Sequence, residues 1–297
     1  MFEDSIENVL QFTRPILSAT RSYAGALSAG AATIFFVNEE GVAITCKHVA
    51  DLLIESDKIW QKYEGFKEEK SRLVRGNMLK TKLSELELQY NFQPETTIQL
   101  LNTFQNCFDK ISGFSIQNHP TLDLAIIRFT GFERKLYNSH ATFVRQNKNI
   151  RIGKTLCRLG YPFPEFSNFM VNPASDNLEW TNAGNPNTPV FPIDGIITRF
   201  VGENNEIVGI ELSTPGLKGQ SGGPLFDQNG LIYGMQSMTM HLHLGFDIKD
   251  LEIETGSGKQ KISNYPFMHV GRCVHAHKIT EFLRQNGVKY YEEAELS

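Results

Sequence analysis

From Leu122 onward the chain is a succession of short apolar runs: Leu124–Phe129, Thr155–Leu159, Gly195–Val201, Ile207–Ser213, Leu231–Met238 and Met268–Val274. Each is bounded by Gly, Pro or Asn, and runs of this length and spacing predict an all-β fold, a sandwich or a barrel. Upstream, Thr33–Val37 and Val42–Thr45 flank Asn38-Glu39-Glu40-Gly41 and read as a hairpin with a polar, Gly-ended turn. Residues 3–22 read as an N-terminal helix, with Ile6, Val9, Leu10 and Ile16 loosely on one side. Between Asp51 and Asn91 the pattern turns charge-rich and helical, and Leu79, Leu83, Leu86 and Tyr90 share one face. Thr97–Ile116 is mixed, Asn182–Pro189 is the clearest loop, and His277–Gly287 reads as a closing helix capped at Asn286-Gly287.

Composition narrows the function classes. The 297 residues are 40% hydrophobic and 21% charged, an ordinary globular balance that excludes disorder, collagen and coiled coil. A net charge of −4 supplies no basic surface for a generic nucleic-acid binder. The length predicts two core-forming units, placed at 1–148 and 149–297. Four scattered cysteines, Cys46, Cys107, Cys157 and Cys273, are too few for a disulfide framework and fit a reducing compartment. The N-terminus is acidic rather than basic, and Ala24–Val37 is too short and polar to span a membrane. A cytoplasmic location is expected, with neither a membrane nor nucleic acid as partner.

Three local signals carry chemistry. Gly219-Gln220-Ser221-Gly222-Gly223-Pro224 is a Gly-rich turn in which a serine can be held for attack and the N–H groups of 219 and 221 can converge as an oxyanion hole. Alone it also reads as a turn with an incidental serine. His48, in Thr45-Cys46-Lys47-His48-Val49-Ala50, ends a strand and singly would be a structural histidine. Asp123 opens the strand Leu124–Phe129 and singly would be a turn or cap residue. The order His, Asp, Ser along one chain changes the weighting, because it is one of the few in which a hydroxyl, an imidazole and a carboxylate form a triad.

With these residues the sequence resembles the trypsin-like serine peptidases, and most of all their bacterial, disulfide-free HtrA-like branch. The motifs are TCKHVA at 45–50, TLDLAIIRF at 121–129, LGYP at 159–162, DGIITRFV at 194–201 and GQSGGPLF at 219–226. The resemblance implies two antiparallel β-barrels with a cleft between them. His48 and Asp123 would come from the first, which carries a helical insertion at about 52–115, and Ser221 from the second, followed by a C-terminal helix. It implies Ser221 as nucleophile, His48 as base, Asp123 as its orienting partner, and the N–H groups of Gly219 and Ser221 as oxyanion donors. Pro215, Lys218, Ser237, Met238 and Thr239 would line the substrate pocket.

Several residues depart from the family pattern. Gln220 stands where secreted members carry the acid that pairs with a freed N-terminus, so activation by N-terminal cleavage is not expected. Cys46 has no partner nearby in sequence, and the residues left after Ser221 give no room for a PDZ domain. The segment 52–92 is a lid, a docking surface for a regulatory protein, or packing on the barrel. No acidic residue marks a pocket selective for Arg or Lys. Pro215, Met238 and Thr239 favour a small or apolar residue before the cut, whereas Lys218, His241 and His243 favour an acidic one. His241-x-His243 and His275-x-His277 offer paired imidazoles without a third ligand, so no metal and no cofactor are expected. The expected activity is a regulated cytosolic serine endopeptidase, in stress response or defence, acting on a protein or peptide substrate. The alternatives are an inactive trypsin-like scaffold that binds peptides, and acyl transfer on an ester.

Overall fold

Burial and turn residues divide much of the chain into short strands, and the computed structural model describes residues 1–73, 78–145, 150–203, 205–256 and 258–294. The first half runs α1 (Glu3–Leu10), β1 (Thr13–Ser22), β2 (Leu27–Phe36), β3 (Val42–Thr45), α2 (Lys47–Ser71), α3 (Leu79–Gln89), β4 (Thr97–Phe104), β5 (Gly113–Asn118) and β6 (Ala125–Thr130). After it come β7 (Thr142–Phe143), β8 (Thr155–Gly160), β9 (Phe169–Asn172), β10 (Asn177–Trp180), β11 (Phe191–Glu203), β12 (Glu206–Leu212) and β13 (Pro224–Phe226). The chain closes with β14 (Ile232–His243), β15 (Ile248–Thr255), β16 (Gly258–Asn264), β17 (Phe267–His275), α4 (Ala276–Gln285) and β18 (Tyr291–Glu292). No helix is long and apolar enough to cross a membrane among the described residues.

Strands β4-β1-β2-β3-β6-β5 form one antiparallel sheet. It is a half-barrel: among the described residues no ladder joins its edges β4 and β5, which meet only through side chains such as the T-shaped Phe104–Phe114 pair at 5.2 Å. The second sheet does close. Its order β13-β8-β11-β12-β17-β14 is completed by antiparallel pairing of β13 with β14, and β7 and β18 extend it from β14. Among the described residues, strands β15 and β16 pair only with each other, as an exposed hairpin between β14 and β17. One apolar core runs through both sheets, from Ile16, Phe35 and Ile44 to Leu225, Phe226 and Ile279. The boundary expected between 148 and 149 lies outside the described residues.

Two expectations are corrected. The N-terminal helix stops at Leu10, and Thr13–Ser22 is a strand pairing with both β2 and β4. Pro15 has no amide for a continuing helix and strand burial of Ile16, Leu17 and Ala19 outweighs the loose helical stripe. The insertion expected at about 52–115 is helical only to Gln89, and Thr97–Phe104 and Gly113–Asn118 supply both edges of the half-barrel. The helices pack on the outside through a second cluster, Tyr63, Phe66, Leu86, Phe92 and Ile98. Phe66 is its centre, buried at 1% exposure with rings of Tyr23, Tyr90 and Phe92 at 5.6, 5.5 and 5.0 Å. Phe66→Ala is expected to cost about 3–5 kcal/mol in urea unfolding; a loss within about 0.5 kcal/mol, the usual range for a surface change, would show that the helices are not packed this way.

Candidate active site

The loop before β13 is shaped by glycines. Gly219 has φ +99°, and a Cβ there would lie 2.4 Å from the Tyr161 carbonyl oxygen. Gly222 has φ +85°, and its Cβ would lie 2.0 Å from the Thr33 oxygen and 2.3 Å from Thr45 Oγ1. Both positions therefore require glycine for conformation and for room. The first sheet grips this loop: Thr33 N donates to Ser221 O at 2.9 Å, and Thr33 Oγ1 donates to Gly219 O at 2.8 Å. The amides of Gln220, Gly222 and Gly223 are used internally, on Leu217 O, Gln236 O and Gln220 O at 2.9, 2.9 and 2.8 Å. Among the described residues, the alternate amides of Gly219 and Ser221 donate to no acceptor. The Gln220 side chain is buried, accepting from Leu217 N at 3.0 Å and donating to Phe191 O at 3.0 Å, so it braces the loop without an ion pair.

His48 lies in the first turn of α2, where Asp123 meets it twice. The carboxylate accepts from the His48 amide at 3.0 Å and stands 2.9 and 3.0 Å from the ring Nδ1. Ser237 Oγ donates to the same carboxylate at 2.6 Å. Burial acts upward on the Asp123 carboxyl, but donation from the His48 ring, the Ser237 hydroxyl and the His48 amide prevails and brings it from 3.8 down to about 2. An ionised carboxylate only accepts, so the neutral ring carries its proton on Nδ1 and leaves Nε2 as a base. The bond to Asp123 raises His48 above its ordinary 6.5, against the opposite pull of burial.

Ser221 joins this pair through Ser237. Its Oγ donates to the Ser237 carbonyl at 3.5 Å, and among the described residues no hydrogen bond links it to His48. Cys46 Sγ, His48 and Asp123 offer donor atoms within 4.8 Å of one another. The Cys46 thiol, however, donates to Gln236 O at 3.1 Å, and burial pushes it well above its ordinary range, which suits packing better than metal ligation. Pro215, Lys218, Ser237, Met238 and Thr239, all expected in the pocket, line one cavity of about 420 Å³ together with Ser221.

A sequence model described as trypsin-like peptidase domain matches residues 32–235, more than half of the chain. The chain belongs to this family. Its structure is similar to the HtrA-type protease AlgW with a tripeptide, at TM-score 0.48 and 14% identity, covering 97% of this chain and 65% of that one. Against the same protease with a decapeptide the TM-score is 0.49 at 12% identity, covering 96% of this chain and 67% of that one. A serine-to-alanine variant of AlgW with tripeptide gives 0.49 at 14% identity, and the chain spans 97% of itself but 64% of that structure's length. No curated protein matches the sequence.

Three features of the site in this trypsin-like peptidase escaped sequence reasoning. The Ser237 hydroxyl on Asp123 has no local motif. His269 reaches the cavity only because β17 pairs His269 with His241. Arg158 did leave a signal, as a cation inside the apolar run Thr155–Leu159, and it is wholly buried.

The bond between the His48 ring and Asp123 contributes to both shifts. The raised His48 stabilises fully below 6.5, and that contribution is lost as pH rises through its folded value; the lowered Asp123 stabilises above 3.8, and its contribution is lost as pH falls through about 2. Asp123→Asn should therefore destabilise most between pH 3.8 and 6.5 and lower the His48 midpoint seen by NMR. An unchanged midpoint would contradict the pairing.

Proposed function

We propose that this protein is a serine endopeptidase that hydrolyses a protein substrate through an acyl-enzyme. Ser221 Oγ attacks the scissile carbonyl while His48 Nε2 takes its proton and later delivers it to the leaving amine. Asp123 holds the ring and stabilises its charged form. The unused amides of Gly219 and Ser221 receive the oxyanion. The observation that carries this proposal is that two undonated amides lie among three occupied ones in a loop seated beside a hydrogen-bonded His–carboxylate pair.

The long Ser221 bond favours a second function, a peptide-binding module without turnover. Catalytic hydrogen bonds are commonly loose before substrate arrives and tighten in the complex, so the distance alone does not decide. Regulation in the cytosol, by a protein docking on 52–92, completes the proposal. It is supported by exposed Leu52 and Ile54 on the helix that carries His48 in its first turn, and by four free, buried cysteines.

A fluorophosphonate probe should label the wild type at Ser221 and leave Ser221→Ala unlabelled. Asp123→Asn should lower kcat by about 10⁴-fold. Absence of labelling with and without peptide, in protein that still binds peptide, would select the non-catalytic module.

A further inference from the structure

Arg158, in β8, is wholly buried. Its Nη1 donates to Gln236 Oε1 at 2.7 Å, and its Nη2 donates to Thr214 O, Thr214 Oγ1 and Pro215 O at 3.0, 2.6 and 3.0 Å. All these acceptors are neutral, and among the described residues no carboxylate forms an ion pair with Arg158. Hydrogen bonds to neutral acceptors stabilise a buried cation but do not neutralise it, so its net positive charge remains to act on its surroundings.

Two of its acceptors belong to Pro215 and Gln236, which line the cavity beside Ser221. Because Arg158 occupies Oε1, the Gln236 amide is oriented with Nε2 on its other side. Nε2 gives one N–H to Met238 O at 2.9 Å, and its second N–H has no acceptor among the described residues. The remaining titratable side chains of the lining are Lys218, His241 and His269, with no Asp or Glu among them. Lys218 makes no hydrogen bond or ion pair among the described residues, and the Nδ1 atoms of His241 and His269 lie 2.6 Å apart, one ring donating to the other. Every charge that the pocket can acquire is positive.

We infer that this cavity takes the side-chain carboxylate of an acidic residue immediately before the scissile bond, so that the enzyme cuts after Asp or Glu. The inference rests on the peptidase function proposed above and names its substrate class. Gln236 Nε2, Lys218 and the imidazole pair supply donors to the carboxylate, and Arg158 supplies the buried charge behind them. A Lys or Arg in the same place would face like charges, and an aliphatic side chain would strip water from donors without replacing it.

Two assays separate the failures. Peptides identical except for Glu, Gln, Asp, Val or Lys before the cut are offered to the wild type. They are also bound, fluorescein-labelled, to Ser221→Ala and followed by anisotropy. Glu or Asp should exceed Gln by at least about tenfold in kcat/KM and in affinity, as charge-assisted hydrogen bonds imply. In Lys218→Met and Arg158→Met that ratio should fall toward one; if Arg158→Met does not fold, Lys218→Met with His269→Ala decides. Retained preference in binding without any cleavage or probe labelling removes the peptidase function and leaves the pocket assignment standing. Equal handling of Glu and Gln, preference for Val or Lys, or no binding and no cleavage of any peptide overturns the inference.

Discussion

Thr33 makes the junction on which the site depends. From the middle of β2 it gives its amide to Ser221 O and its hydroxyl to Gly219 O, and its own carbonyl accepts from Thr45 Oγ1 at 2.8 Å. Thr33 and Thr45 are both fully buried, so none of these groups has water as an alternative partner. Each bond contributes only about 1 kcal/mol net, but leaving one unmade in a buried place costs about 1–3 kcal/mol. The loop from the closed barrel is thereby held in register against the strand that leads to His48. Gly222 completes the junction, since any side chain there would displace the Thr33 carbonyl.

The second constraint is electrostatic. The 25-residue α2 starts at Lys47, and Cys46 at its N-cap offers no side-chain cap. Asp123 serves from a distance by accepting the His48 amide, one of the first amides that a helix leaves unpaired. The positive end of the helix favours the carboxylate, and the carboxylate orients the ring on the same turn. Helix start and His–Asp pair are thus one structure, and movement of α2 would move the imidazole.

That arrangement explains what could be read from the chain. The strands from Leu122 onward and the hairpin around Asn38–Gly41 were legible because their patterns are local, as was the closing helix, where Gly287 takes φ +64°. The start of α2 at Lys47 was not, because its cap comes from a residue 75 positions away. Strands β1 and β4 were hidden because they pair with each other from far apart in sequence, and burial in the sheet, where β1 also meets the neighbouring β2, decides their state. The motif residues His48, Asp123 and Ser221 were visible, whereas Ser237 was visible only as pocket wall. Its hydroxyl bond to Asp123 exists because β14 and the turn before β6 converge in space.

Gln236 and Ser237 show how one strand serves both sides of the cleft. The two meet opposite charges: Ser237 Oγ donates to the Asp123 carboxylate, and Gln236 Oε1 accepts from the Arg158 guanidinium. Among the described residues neither charge has an ion-pair partner outside the site; the anion is shared with His48, and the cation rests on carbonyls, a hydroxyl and one amide. The β14–β17 register slips between Gln236 and Met238, so a bulge falls at Ser237, and its carbonyl receives the Ser221 hydroxyl. A single irregularity in β14 therefore places the support of the carboxylate, the contact of the serine and the wall of the pocket in three successive residues. Side chain and backbone at 236–238 are fixed together, so a change that shifts the cavity wall also shifts the group bonded to Asp123.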